Sequence, residues 1–205
     1  MAIFSRIGAA LSLSGIALVM TSGAASGAVV NYIAHLDGLT ESPPNFSPAT
    51  GTALIDIDTV ALTMRVRATF SGLIGTTTVA HIHSATPMPF TGTAGVATTT
   101  PTFPGFPVGV TSGSYDMTFD MTMASSFNPA FVTANGGTVA DARTALWNSF
   151  GAGTAYFNLH TSAFGGGEIR GFLRLDATAI PLPTPALMGL AGFGVVAGVR
   201  RRRGA

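Results

Sequence analysis

Four residues carry the only chemistry that this sequence advertises: His81, His83, His160 and Glu168. The first two stand at i and i+2 in Ala80-His-Ile-His83. In a β-strand that spacing sends both imidazoles to one face and Ala80 and Ile82 to the other. Two rings on one face can share a cation. If a neighbouring strand presents His160, three nitrogen donors converge, a set suited to Zn or Cu. Glu168 is then expected as a fourth ligand, or as the outer partner that orients a ring. A His-x-His pair on a wet sheet face also often does no more than hydrogen-bond its neighbours, so the metal stays one of two readings. His35 stands alone and is read as structural.

Other chemistries are poorly served. The chain has no Cys, which removes thiolate catalysis, thiolate metal sites and disulfides. It has no Lys either, so the Gly-rich phosphate loop that ends in Lys cannot be built. Ser84 follows His83 directly, and adjacent strand residues face opposite ways. Asp56/Asp58 reads as turn chemistry and Asp116/Asp120 as a solvated strand face. No catalytic constellation emerges, and the chain is expected not to be an enzyme.

The elements that must position the histidines are strands. Leu62, Met64, Val66, Ala68 and Phe70 alternate with Thr63, Arg65, Arg67 and Thr69, and Tyr115, Met117, Phe119 and Met121 alternate with Asp116, Thr118, Asp120 and Thr122. Period-two patterning with one wet face predicts antiparallel sheet. Further strands are expected at 29–36, 51–57, 78–84, 153–160 and 168–176. Loops at 40–50 and 84–110 are long and rich in Pro, Thr and Gly. One helix is predicted over 139–150, opened by a capping box of Thr138 and Asp141 and closed by Gly151. Its stripe is Val139, Ala142, Leu146, Trp147 and Phe150, with Trp147 covering an edge or end of the core. A second helical turn starts at Asn128-Pro129. The fold class expected is mainly β: a Greek-key antiparallel β-sandwich with one or two short helical inserts.

Both ends read differently from the body. Arg6, an apolar run over 7–20 and a small-residue exit ending at Ala28 form the three parts of a secretory leader. Residues 1–28 are therefore expected to be a signal peptide, in helical form until signal peptidase removes it. At the other end, Pro181-Leu182-Pro183 precedes a fourteen-residue apolar segment, 186–199, and then Arg200, Arg201, Arg202 and Arg203. That segment sits at the lower limit for a membrane-crossing helix, and the arginines would stay on the cytoplasmic side. A permanent tail anchor and a transient inner-membrane stop both fit it. Between the ends, residues 29–175 carry five Arg against eight acids, a net charge of −3, so no nucleic-acid partner is expected.

Two resemblances follow. The C-terminal tail is similar to bacterial PEP-CTERM sorting signals, in particular the Val-Pro-Leu-Pro-Ala variant, with Ile180 in place of Val and Thr184-Pro185 where Ala would continue. This implies a Gram-negative source and an exosortase-type enzyme that cuts the protein and passes it to an envelope or matrix acceptor. The body resembles the CHRD domain through Ala80-His-Ile-His83, Tyr156-Phe-Asn-Leu-His-Thr161 and Gly166-Gly-Glu-Ile-Arg-Gly171. Phe157 replaces the family's usual Val, and Phe172 a frequent polar residue; the Gly-Pro that commonly follows the His pair is missing. The resemblance implies an extracellular β-sandwich module. In animals the domain sits in a secreted regulator of growth-factor signalling, an activity that does not transfer to a single-domain bacterial chain. The His-x-His strand is also similar to that of copper–zinc superoxide dismutase, by fold analogy, although four His and no Cys argue against a two-metal site.

The expected organisation is a leader (1–28), a CHRD-like domain (29–175) and a linker with sorting signal (176–205). Two functions are open: an exported envelope or exopolysaccharide-matrix protein for adhesion or scaffolding, and a Zn- or Cu-binding envelope protein, with redox catalysis a weaker variant.

Overall fold

The computed structural model describes residues 29–178. The expected leader, the C-terminal apolar helix and the Pro181–Pro183 and Arg200–Arg203 motifs lie outside the described residues.

Eight strands form: β1 (Val29–Asp37), β2 (Thr50–Asp58), β3 (Thr63–Ser71), β4 (Thr77–His83), β5 (Gly113–Asp120), β6 (Tyr156–Thr161), β7 (Ile169–Phe172) and β8 (Arg174–Leu175). Every pairing is antiparallel. The order is β4-β6-β7-β1-β2-β3-β5, with β8 also on β1. The expectation of a mainly β, antiparallel fold with few helices stands. The sandwich-like layering comes from a single curled sheet: β1 pairs with β2 on one side and with β7 and β8 on the other, which joins the two halves. The right-handed twist of strands, accumulated over so many neighbours, coils such a sheet on itself.

Alternation places the core. Met64, Val66, Ala68 and Phe70 of β3 are buried, as are Ala53, Ile55 and Ile57 of β2 and Tyr32, Ala34 and Leu36 of β1. Leu62 does not join them; it turns the chain with φ +55°, and its carbonyl accepts the amide of Met121. Met117, expected inside, is exposed on the edge strand β5. On the outer face Arg65 pairs with Asp116 at 2.6 Å and Arg67 with Asp56 at 2.7 Å. Asp56 thus belongs to a strand, whereas Asp58 makes the turn by accepting from the amides of Val60 and Ala61.

Helix α1 (Pro129–Ala134) starts at Asn128, whose side chain accepts from the Ala130 amide. Helix α2 (Val139–Ala152) is capped by Thr138 as expected. It runs past Gly151 and ends at Gly153, which adopts φ +68°. Ala142, Leu146 and Phe150 enter the core, Phe150 meeting Tyr32 edge-on at 5.4 Å, and Trp147 packs half-buried at its margin. The remaining space is filled from the loop between β4 and β5. Phe103 lies against Tyr115, Phe119 and Phe157, and Phe106 stacks on Phe70. The same loop sheathes the open edge of β4: Thr98 and Thr102 accept from the amides of Ile82 and Ala80, and Ala97 and Phe103 donate back. An edge strand covered in this way offers no template for foreign pairing.

Candidate metal centre

The register of β4 on β6 assembles the histidines. His81 opposes Asn158, His83 opposes Tyr156 and Val79 opposes His160. Residues directly opposite share a face, so the three His project from the outer side of the sheet while Ala80, Ile82, Phe157 and Leu159 form the inner one. That outer side is not wet here. Residues of the β4–β5 loop and of the β6–β7 turn lie over it, burying His81 and His160 and half-burying His83.

Each ring is oriented by a backbone carbonyl. Nδ1 of His81 lies 2.9 Å from the Pro101 oxygen, Nδ1 of His83 lies 2.8 Å from that of Ala94, and Nδ1 of His160 lies 3.0 Å from that of Gly165. A carbonyl oxygen only accepts, so Nδ1 carries the hydrogen in all three rings. In a neutral imidazole this leaves the Nε2 lone pair free. Burial, only partly opposed by those carbonyls, pushes His81 and His83 down to about 4 and lowers His160 as well. The rings are therefore neutral at pH 7.

The Nε2 atoms of His81 and His160 are 3.0 Å apart, and Nε2 of His83 is buried without a partner. Two lone pairs facing each other at that distance repel unless a cation lies between them. One ligand nitrogen from each ring falls within 4.8 Å of the other two. Tetrahedral Zn with bonds of about 2.0–2.1 Å separates its nitrogens by about 3.3 Å, a spacing between the 3.0 Å of the His81–His160 pair and the 4.8 Å that bounds the set. The donor set fits Zn or Cu: three neutral nitrogens, each backed by a hydrogen-bond acceptor that holds its tautomer.

Glu168 is not part of this centre, which corrects its expected role as fourth ligand or ring-orienting partner. It is wholly buried, and its carboxylate accepts from Ser47 Oγ at 2.7 Å, Ile74 N at 2.6 Å, Gly75 N at 3.1 Å and Thr161 Oγ1 at 2.6 Å. Burial acts to raise its pKa, but these four donors together outweigh it and hold the carboxyl below the usual range. Both oxygens are thus committed to joining three loops.

Sequence reasoning missed a second polar cluster beside the histidines. Arg170, opposite Asn158, is buried under the loop after β1, where it donates to the carbonyls of Thr40 and Gly92 and faces Glu41 at 3.8 Å. Burial lifts Glu41 to about 7 despite that cation. Arg170 also lies 4.7 Å over the ring of Tyr156, whose plane is stacked on His83 at 4.7 Å. No local pattern marks Glu41, and the orienting carbonyls are backbone atoms that composition cannot flag. The other residues singled out lie elsewhere. His35 is exposed on β1, and Ser84 donates to Ser149 rather than to a histidine.

The family model described as the CHRD domain matches residues 32–173. The chain belongs to the CHRD family. No curated protein and no solved structure matches it. The CHRD match runs from within β1 to the residue before β8, so the three histidines, the Glu168 hub and the Arg170 cluster all lie inside the CHRD domain.

Proposed function

We propose that this CHRD-domain protein is an exported binding or structural module of the cell envelope or extracellular matrix, without catalytic activity, that holds a Zn or Cu ion on His81, His83 and His160. The observation that carries the metal reading is the 3.0 Å approach of two Nε2 atoms whose Nδ1 partners leave both as lone pairs. When bound, the ion replaces that repulsion with two bonds and gives the orphaned Nε2 of His83 a partner. His81 and His83 tie the β4–β5 loop through Ala94 and Pro101, and His160 ties the β6–β7 turn through Gly165, so an ion at the centre fastens both to the sheet. The stretch at 1–28 supports export through signal peptidase. The Pro-Leu-Pro motif, apolar segment and arginines support transient insertion in the inner membrane, processing by an exosortase-type enzyme and transfer to an envelope or exopolysaccharide acceptor.

The test is metal titration of the purified protein against its His81→Ala/His83→Ala variant. One equivalent of Zn or Cu, with a rise in melting temperature that the variant lacks, is expected. No binding and no thermal shift with either ion would leave the structural role alone.

A further inference from the structure

The charge balance around the three histidines selects among the ions that imidazole accepts. The ligands contribute none: all three are neutral rings. The two buried carboxylates of this half of the sheet are engaged elsewhere, Glu168 with four donors and Glu41 against Arg170. The nearby Arg170 guanidinium, on the Tyr156 ring that stacks on His83, is faced by Glu41, so the surroundings supply no net negative charge to an ion here. Nε2 of His83 has no access to solvent, and those of His81 and His160 face each other inside the same layer. A divalent ion here would keep its full charge while buried, with no carboxylate on it. Desolvation cost grows as the square of the charge, so a divalent ion pays about four times the penalty of a monovalent one of similar size. Zinc in an open site escapes this by binding a hydroxide as its fourth ligand, but these nitrogens face a covered interior.

Resting on the metal reading above, we infer that the centre of this CHRD domain is a closed, three-nitrogen site for monovalent copper. A closed-shell monovalent ion needs no fourth ligand; three nitrogens about 3.5 Å apart around it lie inside the 4.8 Å span of the unligated rings. The chain has no Cys, so no thiolate sets the preference for this ion, and charge and enclosure take that part.

The test is anaerobic titration of the full chain with Cu(I), in competition with a chromogenic Cu(I) chelator, beside Ag(I) as a redox-inert monovalent probe and Zn(II). Cu(I) and Ag(I) are expected at one equivalent, Cu(I) at least about 100-fold tighter than Zn(II), with X-ray absorption reporting three nitrogens and no oxygen around copper. A His83→Asp variant, which adds an anionic oxygen, should narrow that preference at least about tenfold; where that variant does not fold, the wild-type ratio decides. Zn(II) held as tightly as Cu(I), or an oxygen ligand on copper, overturns the monovalent assignment and leaves the metal reading standing. Retention of none of the three ions overturns both.

Discussion

Thr161 donates its hydroxyl to Oε2 of Glu168 at 2.6 Å, one residue beyond His160 of the histidine cluster. The two neighbours on β6 therefore serve opposite faces. His160 points to the outer cluster, while Thr161 anchors the carboxylate that gathers the loops at 47, 74–75 and 161–168.

Glu168→Gln should consequently act on stability and not on metal binding. The variant keeps the shape but loses the charge, and its amide N–H groups oppose donors already aimed at that position. A loss of roughly 2–4 kcal/mol is expected from unsatisfied buried donors, read by urea denaturation. Metal stoichiometry of the folded variant should equal that of the parent. A folded variant that lost metal would restore Glu168 to the centre.

Two opposing pH trends are expected in the metal-free protein. His81 and His83 are depressed from an ordinary 6.5 to about 4, so the stability they contribute is complete above pH 6.5 and is lost as pH falls towards 4. Glu41 is raised from 4.5 to about 7, so its contribution is complete below pH 4.5 and is lost as pH rises to 7. Glu41→Gln abolishes only the second trend. Its stability relative to the parent should grow by about 3 kcal/mol between pH 4.5 and 8, measured by denaturation at each pH. Parallel profiles would mean that Glu41 ionises normally.

Core truncations should rank by burial. Phe103 is fully buried among three aromatic rings, and Phe103→Ala should cost roughly 3–5 kcal/mol. Trp147 is half-buried, with its indole N–H unpartnered and Arg143 5.7 Å from its ring, so Trp147→Ala should cost less. His35→Ala, on the exposed face, should stay within about 0.5 kcal/mol. Equal melting temperatures for the Trp147 and His35 variants would place the indole outside the packed layer.

Deleting residues 181–205 should release the body from the membrane fraction while its melting temperature holds. The CHRD match ends before this segment, and the strands close without it. A deletion that unfolded the protein would make the tail part of the domain.

Local pattern made much of the scaffold legible. Alternation in 63–71 marked β3 because its two faces meet different surroundings, and the Thr138/Asp141 box marked the start of α2. The helix end was misplaced by two residues because Gly151 and Gly153 are equally permissive, and only the tertiary path settles which takes φ +68°. Met117 was misread because alternation reports which way a side chain points, not whether anything covers it.

The amino-acid sequence by itself determined the antiparallel β class, the CHRD kinship and the shared face of His81 and His83, since strand geometry makes i and i+2 neighbours in any fold. Only the tertiary structure decided that His160 joins them and Glu168 does not. That depends on the β4–β6 register and on which buried amides a carboxylate must satisfy, both set by contacts distant in the sequence, such as His81 with His160, 79 residues apart, and Gly75 with Glu168, 93 apart. The curl into one sheet was likewise beyond local reading, because it is β1 hydrogen-bonding on both sides that turns two halves into one.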